Sequence, residues 1–329
     1  MRPESVELLR APGSGLPLRL HQVFEREQEE IKVGELMAVD SQIYPIKNFI
    51  PRFVLDDSYT ASFGEQWNRY RRTQIDKFNG TTLSRDRFFS STNWSEAELK
   101  GQRVLEVGCG AGRFTQVLLD AAANVCSMDY SSAVDACWAN NGPHDRLTLV
   151  QGDLYQIPFP KNFFDKVFCY GVLQHTPDPK RAFMALIPFL RPGGKLSIDL
   201  YRRTPWTTRW TSKYWYRPIT KRMPRDLLRR IIEWYVPRWI PIDNALQRVR
   251  VLRYAVPAII PCWNYTGMLP LDPEQITSWA ILDTFDALSP RYDYPQTEST
   301  LREWCAEAQL EQVEIRAGGN GLICNARRP

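Results

Sequence analysis

The spacing of apolar and polar positions changes along this chain, and the changes mark out its elements. Residues 62–78 (SFGEQWNRYRRTQIDKF) place apolar side chains at helical intervals, with Ser62 set to cap the helix and Glu65 three positions on to complete a capping box. From about residue 101 the period shortens. Val104-Leu105-Glu106-Val107 reads as a short buried strand, residues 113–122 as a helix, and Asn124–Met128 as a second strand ending at Asp129. Ser131 then caps a helix running to about Asn140. Leu147–Val150 is a third strand, ending at Gly152-Asp153, and Asp165–Tyr170 a fourth. A helix from Pro179 to Leu190 stops at Arg191-Pro192-Gly193-Gly194, and Lys195–Tyr201 is a fifth strand.

Strands alternating with helices of this kind build βαβ units and a parallel sheet. The pattern lapses from residue 202 to about 295. It resumes with a helix at 298–308, a strand at Gln312–Arg316, the turn Gly318-Gly319-Asn320-Gly321 and a strand at Leu322–Ala326. A tight glycine turn joins antiparallel neighbours. The expected architecture is α/β: a doubly wound, seven-stranded, mostly parallel sheet whose last strand is antiparallel, with a helical insert. Residues 1–60 are Pro-rich with short β-like runs at Gln42–Ile46 and Ile50–Val54, and form a small β-rich segment. The remaining divisions are a helical cap at 61–100, a core at 101–201, an insert at 202–296 and the closing helix and hairpin at 297–329.

Composition adds limits. With 43% hydrophobic and 24% charged residues the chain fits a globular protein, and no stretch approaches the roughly 18 to 20 apolar residues that span a bilayer. The N-terminus lacks the apolar run of a secretory signal. Seven cysteines form no CxxC pair, so no metal site is expected and free thiols in a reducing cytoplasm are the simple reading. Charge is uneven. Residues 202–253 carry fourteen Lys/Arg against three acids, which makes that segment +11 and the rest of the chain −6.

The candidate chemistry begins at Glu106-Val107-Gly108-Cys109-Gly110-Ala111-Gly112. Glycines after a strand allow close backbone approach to a ligand, and the helix that follows aims its N-terminus at the same place. The spacing is GxGxG rather than the GxGxxG of dinucleotide sites, and an acid two residues before the first glycine would repel a pyrophosphate. It suits a cofactor with a cationic amino-acid end. Asp129, 23 residues after Glu106, can accept from ribose hydroxyls, and Asp153 from an adenine amino group. The three acids stand at the carboxyl ends of three strands, where open α/β sheets bind ligands.

VLEVGCGAGRFT, SMDYSS, QGDLYQIPFPKNFFDKVFCYGVLQHTPD and LRPGGKLSID together resemble successive motifs of the class I S-adenosylmethionine-dependent methyltransferases, over roughly residues 101–201. The resemblance implies S-adenosyl-L-methionine as cofactor. It implies that Glu106, Gly108, Cys109, Gly110 and Gly112 hold the methionine part, Asp129 the ribose, and Asp153 with Leu154 the adenine, with Tyr130 beside it and Tyr170 at the methionine end. The flanks, including Ser62-Phe63-Gly64, Asp283-Thr284-Phe285-Asp286 and Ser289-Pro290-Arg291-Tyr292, are similar to bacterial members associated with surface glycans or secondary metabolites. Some of those carry an N-terminal zinc ribbon; this chain keeps its apolar frame without the cysteines.

Methyl transfer needs alignment, exclusion of water and, for an oxygen acceptor, removal of a proton. His175, one of three histidines and just past the fourth strand, is the candidate base; the alternative is a structural histidine that orients its loop. Trp67 and Gln74 are candidates to close over the cofactor, and Asp286, Arg291 and Tyr292 to touch substrate. The insert holds five Trp and three Tyr beside its cations within 202–253. Three readings stay open for it: a lid over the acceptor, a peripheral contact with anionic membrane through 202–263 into which Tyr254–Trp263 could dip, and nucleic-acid binding, the least expected. The expected function is methyl transfer to a small-molecule, sugar or lipid-linked acceptor, on oxygen before carbon or nitrogen, in a cytoplasmic protein, with peripheral attachment to membrane as the further expectation. A C- or N-methyltransferase of a quinone or natural product, and a cofactor-binding module without turnover, are the alternatives.

Overall fold

A computed structural model describes residues 1–54, 60–249 and 259–329. The small N-terminal sheet is antiparallel, with strands β1 (Leu18–Glu27), β2 (Glu30–Ala38), β3 (Ile43–Lys47) and β4 (Ile50–Pro51) in that order. The first two are long strands that the Pro-rich composition hid. The cap follows: α1 (Ala61–Arg69), α2 (Asp76–Asn79), α3 (Leu83–Thr92) and α4 (Glu96–Leu99). The single helix expected over 62–78 is therefore broken at Tyr70. Its cap is Thr60, one residue before the helix, so Ser62 lies inside it and the expected box does not form. The box is made instead at α4, by Ser95 and Glu98.

The core runs β5 (Arg103–Val107), α5 (Arg113–Asp120), β6 (Asn124–Asp129), α6 (Ala133–Asn141), β7 (Leu147–Gln151), β8 (Phe164–Cys169), α7 (Pro179–Leu186) and β9 (Leu190–Leu200). The Ser131 hydroxyl accepts the Ala133 N–H, but the helix cap itself is Ser132. The insert supplies α8 (Thr207–Trp210), α9 (Ser212–Thr220), α10 (Arg225–Leu246) and α11 (Pro273–Leu288); the chain ends with α12 (Glu298–Glu307), β10 (Glu311–Gly318) and β11 (Gly321–Arg327).

The seven-stranded sheet has the order β10-β11-β9-β8-β5-β6-β7. Pairs from β7 to β9 are parallel, and β11 inserts antiparallel between β9 and β10. Central strands are covered on both faces, which is why they read as continuous apolar runs rather than as alternation. Phe164, Phe168, Leu105 and Phe183 are fully buried around them. The chain leaves β5 toward β6 on one side and reaches β8 on the other, so the crevice beyond their carboxyl ends is the switch point where such sheets take ligands.

Two features complete the frame. The small sheet docks on the β7 edge: Phe53 donates its N–H to Gln151 O at 2.8 Å, and Arg52 reaches Gln151 Oε1 at 3.0 Å and Asp135 at 2.6 Å. That covers an edge strand whose backbone would otherwise be open. In the insert, Leu228, Ile232, Val236 and Ile240 of α10 pack on Ala280, Ile281, Phe285 and Leu288 of α11. Helix α10 runs on to Leu246 through Pro237 and Pro241. Each proline removes one intrahelical bond, but the buried stripe runs on past both of them.

Candidate functional site

A cavity of about 760 Å3 lies at the carboxyl ends of β5, β6 and β8, floored by the core and roofed by the cap and the insert. The floor is the glycine loop. Gly108 has φ +82°, a conformation that L side chains avoid, and a Cβ there would collide with Val172. Gly110, at φ +52°, sits beneath Trp67, whose Cε2 would be 3.3 Å from a Cβ. Its N–H donates to Asp129 Oδ2 at 3.0 Å. Asp129 Oδ1 accepts from the Ser131 N–H at 2.9 Å and the Ser131 hydroxyl at 2.7 Å, which fixes the carboxylate at the cavity edge. Burial pushes its pKa above the usual carboxylate value. Cys109, Tyr130, Leu154 and Tyr170 also line the wall. Tyr170 stacks on Phe168 at 4.3 Å and shares a 2.9 Å hydrogen bond with Ser197, so its ring is held rigidly.

Three expected ligand residues are not among those lining the cavity: Glu106 and Gly112 lie behind the wall, and Asp153 sits half-buried between the lining residues Gly152 and Leu154. Glu106 is 1% exposed, and its Oε2 accepts from the Thr115 hydroxyl at 2.5 Å and the Ser127 hydroxyl at 2.6 Å. It therefore ties the start of α5 to β6 beneath the loop; burial lifts its carboxyl to about 7. Gly112 faces α6, where a Cβ would collide with Asn141. Asp153 accepts the Tyr155 N–H at 2.8 Å and so caps the turn that presents Leu154. The strand-end positions were legible, but which side chains turn inward depends on the partners that fill the space behind them.

His175 does line the cavity. Its Nδ1 lies 3.0 Å from the Tyr292 carbonyl oxygen, which can only accept, so Nδ1 carries the proton. Nε2 is left as an acceptor, buried and without a hydrogen-bond partner among the described residues. The rings of Phe63 and Tyr201 flank it, each at 5.3 Å. Burial, against the pull of Asp293, holds the imidazole down to about 4, so it is neutral at physiological pH.

The roof contains the expected Trp67, Gln74 and Asp286, beside several residues that the sequence did not single out. Asp283 and Asp286 sit one turn apart on α11. Asp283 is saturated: it accepts from Gln74 Nε2 at 3.1 Å, Trp279 Nε1 at 3.1 Å and the Tyr265 hydroxyl at 2.5 Å. Asp286 has one hydrogen bond among the described residues, from Gln66 Nε2 at 3.5 Å. Burial and the neighbouring Asp283 lift it to about 7, with Lys213 opposing. Lys213 is committed to Asp293 at 2.9 Å. Arg113 reaches Gln74 Oε1 at 3.0 Å and, with Arg87, adds cations to the wall. For Asp283 the sequence offered only its place in the Asp283-Thr284-Phe285-Asp286 motif and its i, i+3 spacing from Asp286, which any solvated helix shows. Of the other expected substrate contacts, Tyr292 supplies its carbonyl to His175, and Arg291 is exposed beyond the wall.

Residues 105–198 match the family described as "Methyltransferase domain". Among curated proteins, the segment is 36% identical over 111 residues to an uncharacterized protein of Synechococcus, covering 32% of this chain and 26% of that one. It is 31% identical over 107 residues to a ubiquinone biosynthesis O-methyltransferase of Coxiella burnetii, covering 32% of this chain and 46% of that one. The chain thus spans less than half the length of these relatives. Among solved structures, magnesium protoporphyrin IX methyltransferase of Synechocystis with bound S-adenosylhomocysteine aligns at TM-score 0.44 and 16% identity, over 82% of this chain and 97% of that one.

Proposed function

We infer that this chain, which carries a class I S-adenosylmethionine-dependent methyltransferase domain on a Rossmann-like sheet, transfers a methyl group to a hydroxyl-bearing small molecule held under the roof of the cavity. The cofactor is S-adenosyl-L-methionine. The residues present fit it: Gly108 and Gly110 present bare backbone to the cavity, Asp129 offers carboxylate oxygens at its edge, and Arg113, which has no ion pair among the described residues, provides a cation for a carboxylate. We assign the ribose to Asp129, the adenine to the wall formed by Tyr130 and Leu154, and the methionine end to Gly108, Cys109, Gly110 and Tyr170. Glu106, Gly112 and Asp153 serve by setting the shape of that wall. The bound sulfonium supplies an activated methyl group, so the protein's part is to align the acceptor, exclude water and take a proton.

Two wall residues divide the proton work. His175 Nε2, neutral and without a hydrogen-bond partner among the described residues, accepts from a second O–H or N–H group of the acceptor and orients it, which leaves the single proton of the reacting hydroxyl for Asp286. Asp286, the roof carboxylate with the fewest partners, takes the proton as the oxygen–methyl bond forms. A base with a pKa near the working pH is better matched to that step than an imidazole held near 4. The observation that carries the reading is the shared cavity: the glycine loop and Asp129 on one wall, an aromatic and acidic acceptor chamber on the other. The relatives that methylate oxygen in ubiquinone biosynthesis support an oxygen acceptor. A sugar or lipid-linked acceptor fits the same chamber, and the second would place the chain at a membrane surface as a peripheral protein.

Calorimetric titration with S-adenosylhomocysteine and with NAD tests the cofactor, and transfer of labelled methyl into fractions of cell extract tests the activity. Binding of the homocysteine product and label in an alkali-stable small molecule are expected. Binding of NAD alone, or no labelled product from any fraction, would overturn the reading.

A further inference from the structure

The insert has two faces with opposite environments. Its inner face roofs the cavity through Lys213, Trp263, Tyr265 and Leu269 and packs α10 on α11. The outer face of α10 carries Leu227, Arg230, Ile231, Trp234, Arg238 and Ile242, all exposed. At 100° per residue these positions cluster on the side opposite Leu228, Ile232, Val236 and Ile240. Trp234 is 63% exposed, and Leu227 and Ile242 about half. Trp206, Trp215 and Ile219, also exposed, belong to the same insert. Large apolar side chains gathered in one segment of a surface, rather than scattered over it, mark an interaction site.

The charges say what kind of partner. Cations turned inward have carboxylates: Lys213 and Arg217 meet Asp293, and Arg229 meets Glu65, Asp226 and Glu233. Among the described residues, Lys221, Arg222, Arg230 and Arg238 have no carboxylate within ion-pair distance. The Arg238 guanidinium instead lies 5.1 Å over the Trp234 ring. A face of this composition repels a second copy of itself. Nucleic acid would satisfy the arginines and could stack on Trp234, but it offers nothing to Leu227, Ile231 and Ile242. A bilayer surface satisfies both sets: phosphates for the cations, the headgroup–acyl boundary for the aliphatics, and Trp at the level between them.

We propose that the outer face of α10 docks on anionic lipid, with Leu227, Ile231, Trp234 and Ile242 entering the interface and Arg230 and Arg238 on lipid phosphates. No helix among the described residues is long and apolar enough to cross a membrane, so the contact is peripheral. Residues 254–258 of the Tyr254–Trp263 run lie outside the described residues and take no part in the argument.

Flotation of the full chain with vesicles of phosphatidylcholine and phosphatidylglycerol, against phosphatidylcholine alone, tests this. The wild type floats with the anionic vesicles at low salt, and Trp234 emission shifts to the blue. Ile231→Ser with Trp234→Ser, or Arg230→Glu with Arg238→Glu, lowers the bound fraction about tenfold, while affinity for S-adenosylhomocysteine, which those residues do not touch, stays unchanged and shows that the variants are folded. Failure of the wild type to float overturns the proposal. So does equal flotation of the variants, a gel shift of duplex DNA or RNA lost in the same variants without lipid binding, or a sedimenting dimer that the variants dissolve.

Discussion

At the scale of single residues, the site places buried carboxylates in two settings. Glu106 is buried with two hydroxyl donors and Asp286 with one long amide contact, and both are lifted to about 7. A carboxyl whose folded pKa exceeds its unfolded value binds a proton on folding, so its contribution is fully present below the unfolded pKa and is lost as pH rises through the folded one. For Glu106 that window runs from about 4.5 to about 7. Glu106→Gln should flatten the fall of thermal stability across it, by up to roughly 3 kcal/mol at the upper end; an unchanged slope would show that Glu106 titrates normally. Asp286 and His175 separate by turnover. Asp286→Asn should lower kcat and remove the rising limb of the pH–rate profile near 7, whereas His175→Ala should lower kcat about tenfold to a hundredfold and leave that limb in place. Affinity for S-adenosylhomocysteine should survive both. If the limb persists in Asp286→Asn, another group takes the proton.

At the scale of elements, α11 decides the roof. It begins at Asp272, whose side chain accepts from the N–H groups of Glu274 and Gln275 while Gln275 returns a bond to the Asp272 N–H, with Pro273 at the first position. Asp272→Ala should destabilise the chain by about 1 kcal/mol in denaturant unfolding. Because α11 carries Asp283 and Asp286, turnover should fall more than affinity for the cofactor product. Asp178 caps the helix that starts at Pro179, with no competing residue beside it. At 60–62 the sequence offers Thr60 and Ser62 within two residues, and packing of the cap over the glycine loop, not the local code, chooses Thr60.

At the scale of the molecule, the small sheet shares an apolar core with the central sheet, through residues such as Leu36 and Ile46 beside Met128 and Val150, and a few buried polar contacts add to it. Arg52 bridges the small sheet to the core through Gln151 and Asp135 with its guanidinium nearly covered. Arg52→Ala leaves those acceptors unpaired, so it should lower stability by about 1.5 to 3 kcal/mol and expose the junction to limited proteolysis; an unaltered cleavage pattern would show that the sheet is held by its apolar contacts alone. The insert is the larger dependency. Its inner face roofs the cavity, and its outer face has no partner among the described residues. The lid and membrane readings, which compete when the segment is a string of letters, fall on opposite sides of the same helices.

The amino-acid sequence by itself determined the sheet and the cofactor. Period-two and period-3.6 patterns, glycines at alternate positions and an acid at a strand end are local codes, set by backbone geometry and ligand chemistry that act within a few residues. It also placed Asp129, Tyr130, Leu154, Tyr170 and His175 at the cavity, because strand ends of an open α/β sheet converge there. Only the tertiary structure decided that Glu106 turns away to hold the wall, that Asp153 spends one oxygen on the turn before Leu154, that Asp286 faces the chamber with few partners, and which face of α10 stays open. Those outcomes depend on what fills the space around each side chain, and the neighbours come from segments as far apart as Gln66 and Asp286, or Arg87 and Asp199. A spacing rule cannot see across such distances; packing and the satisfaction of buried polar groups can.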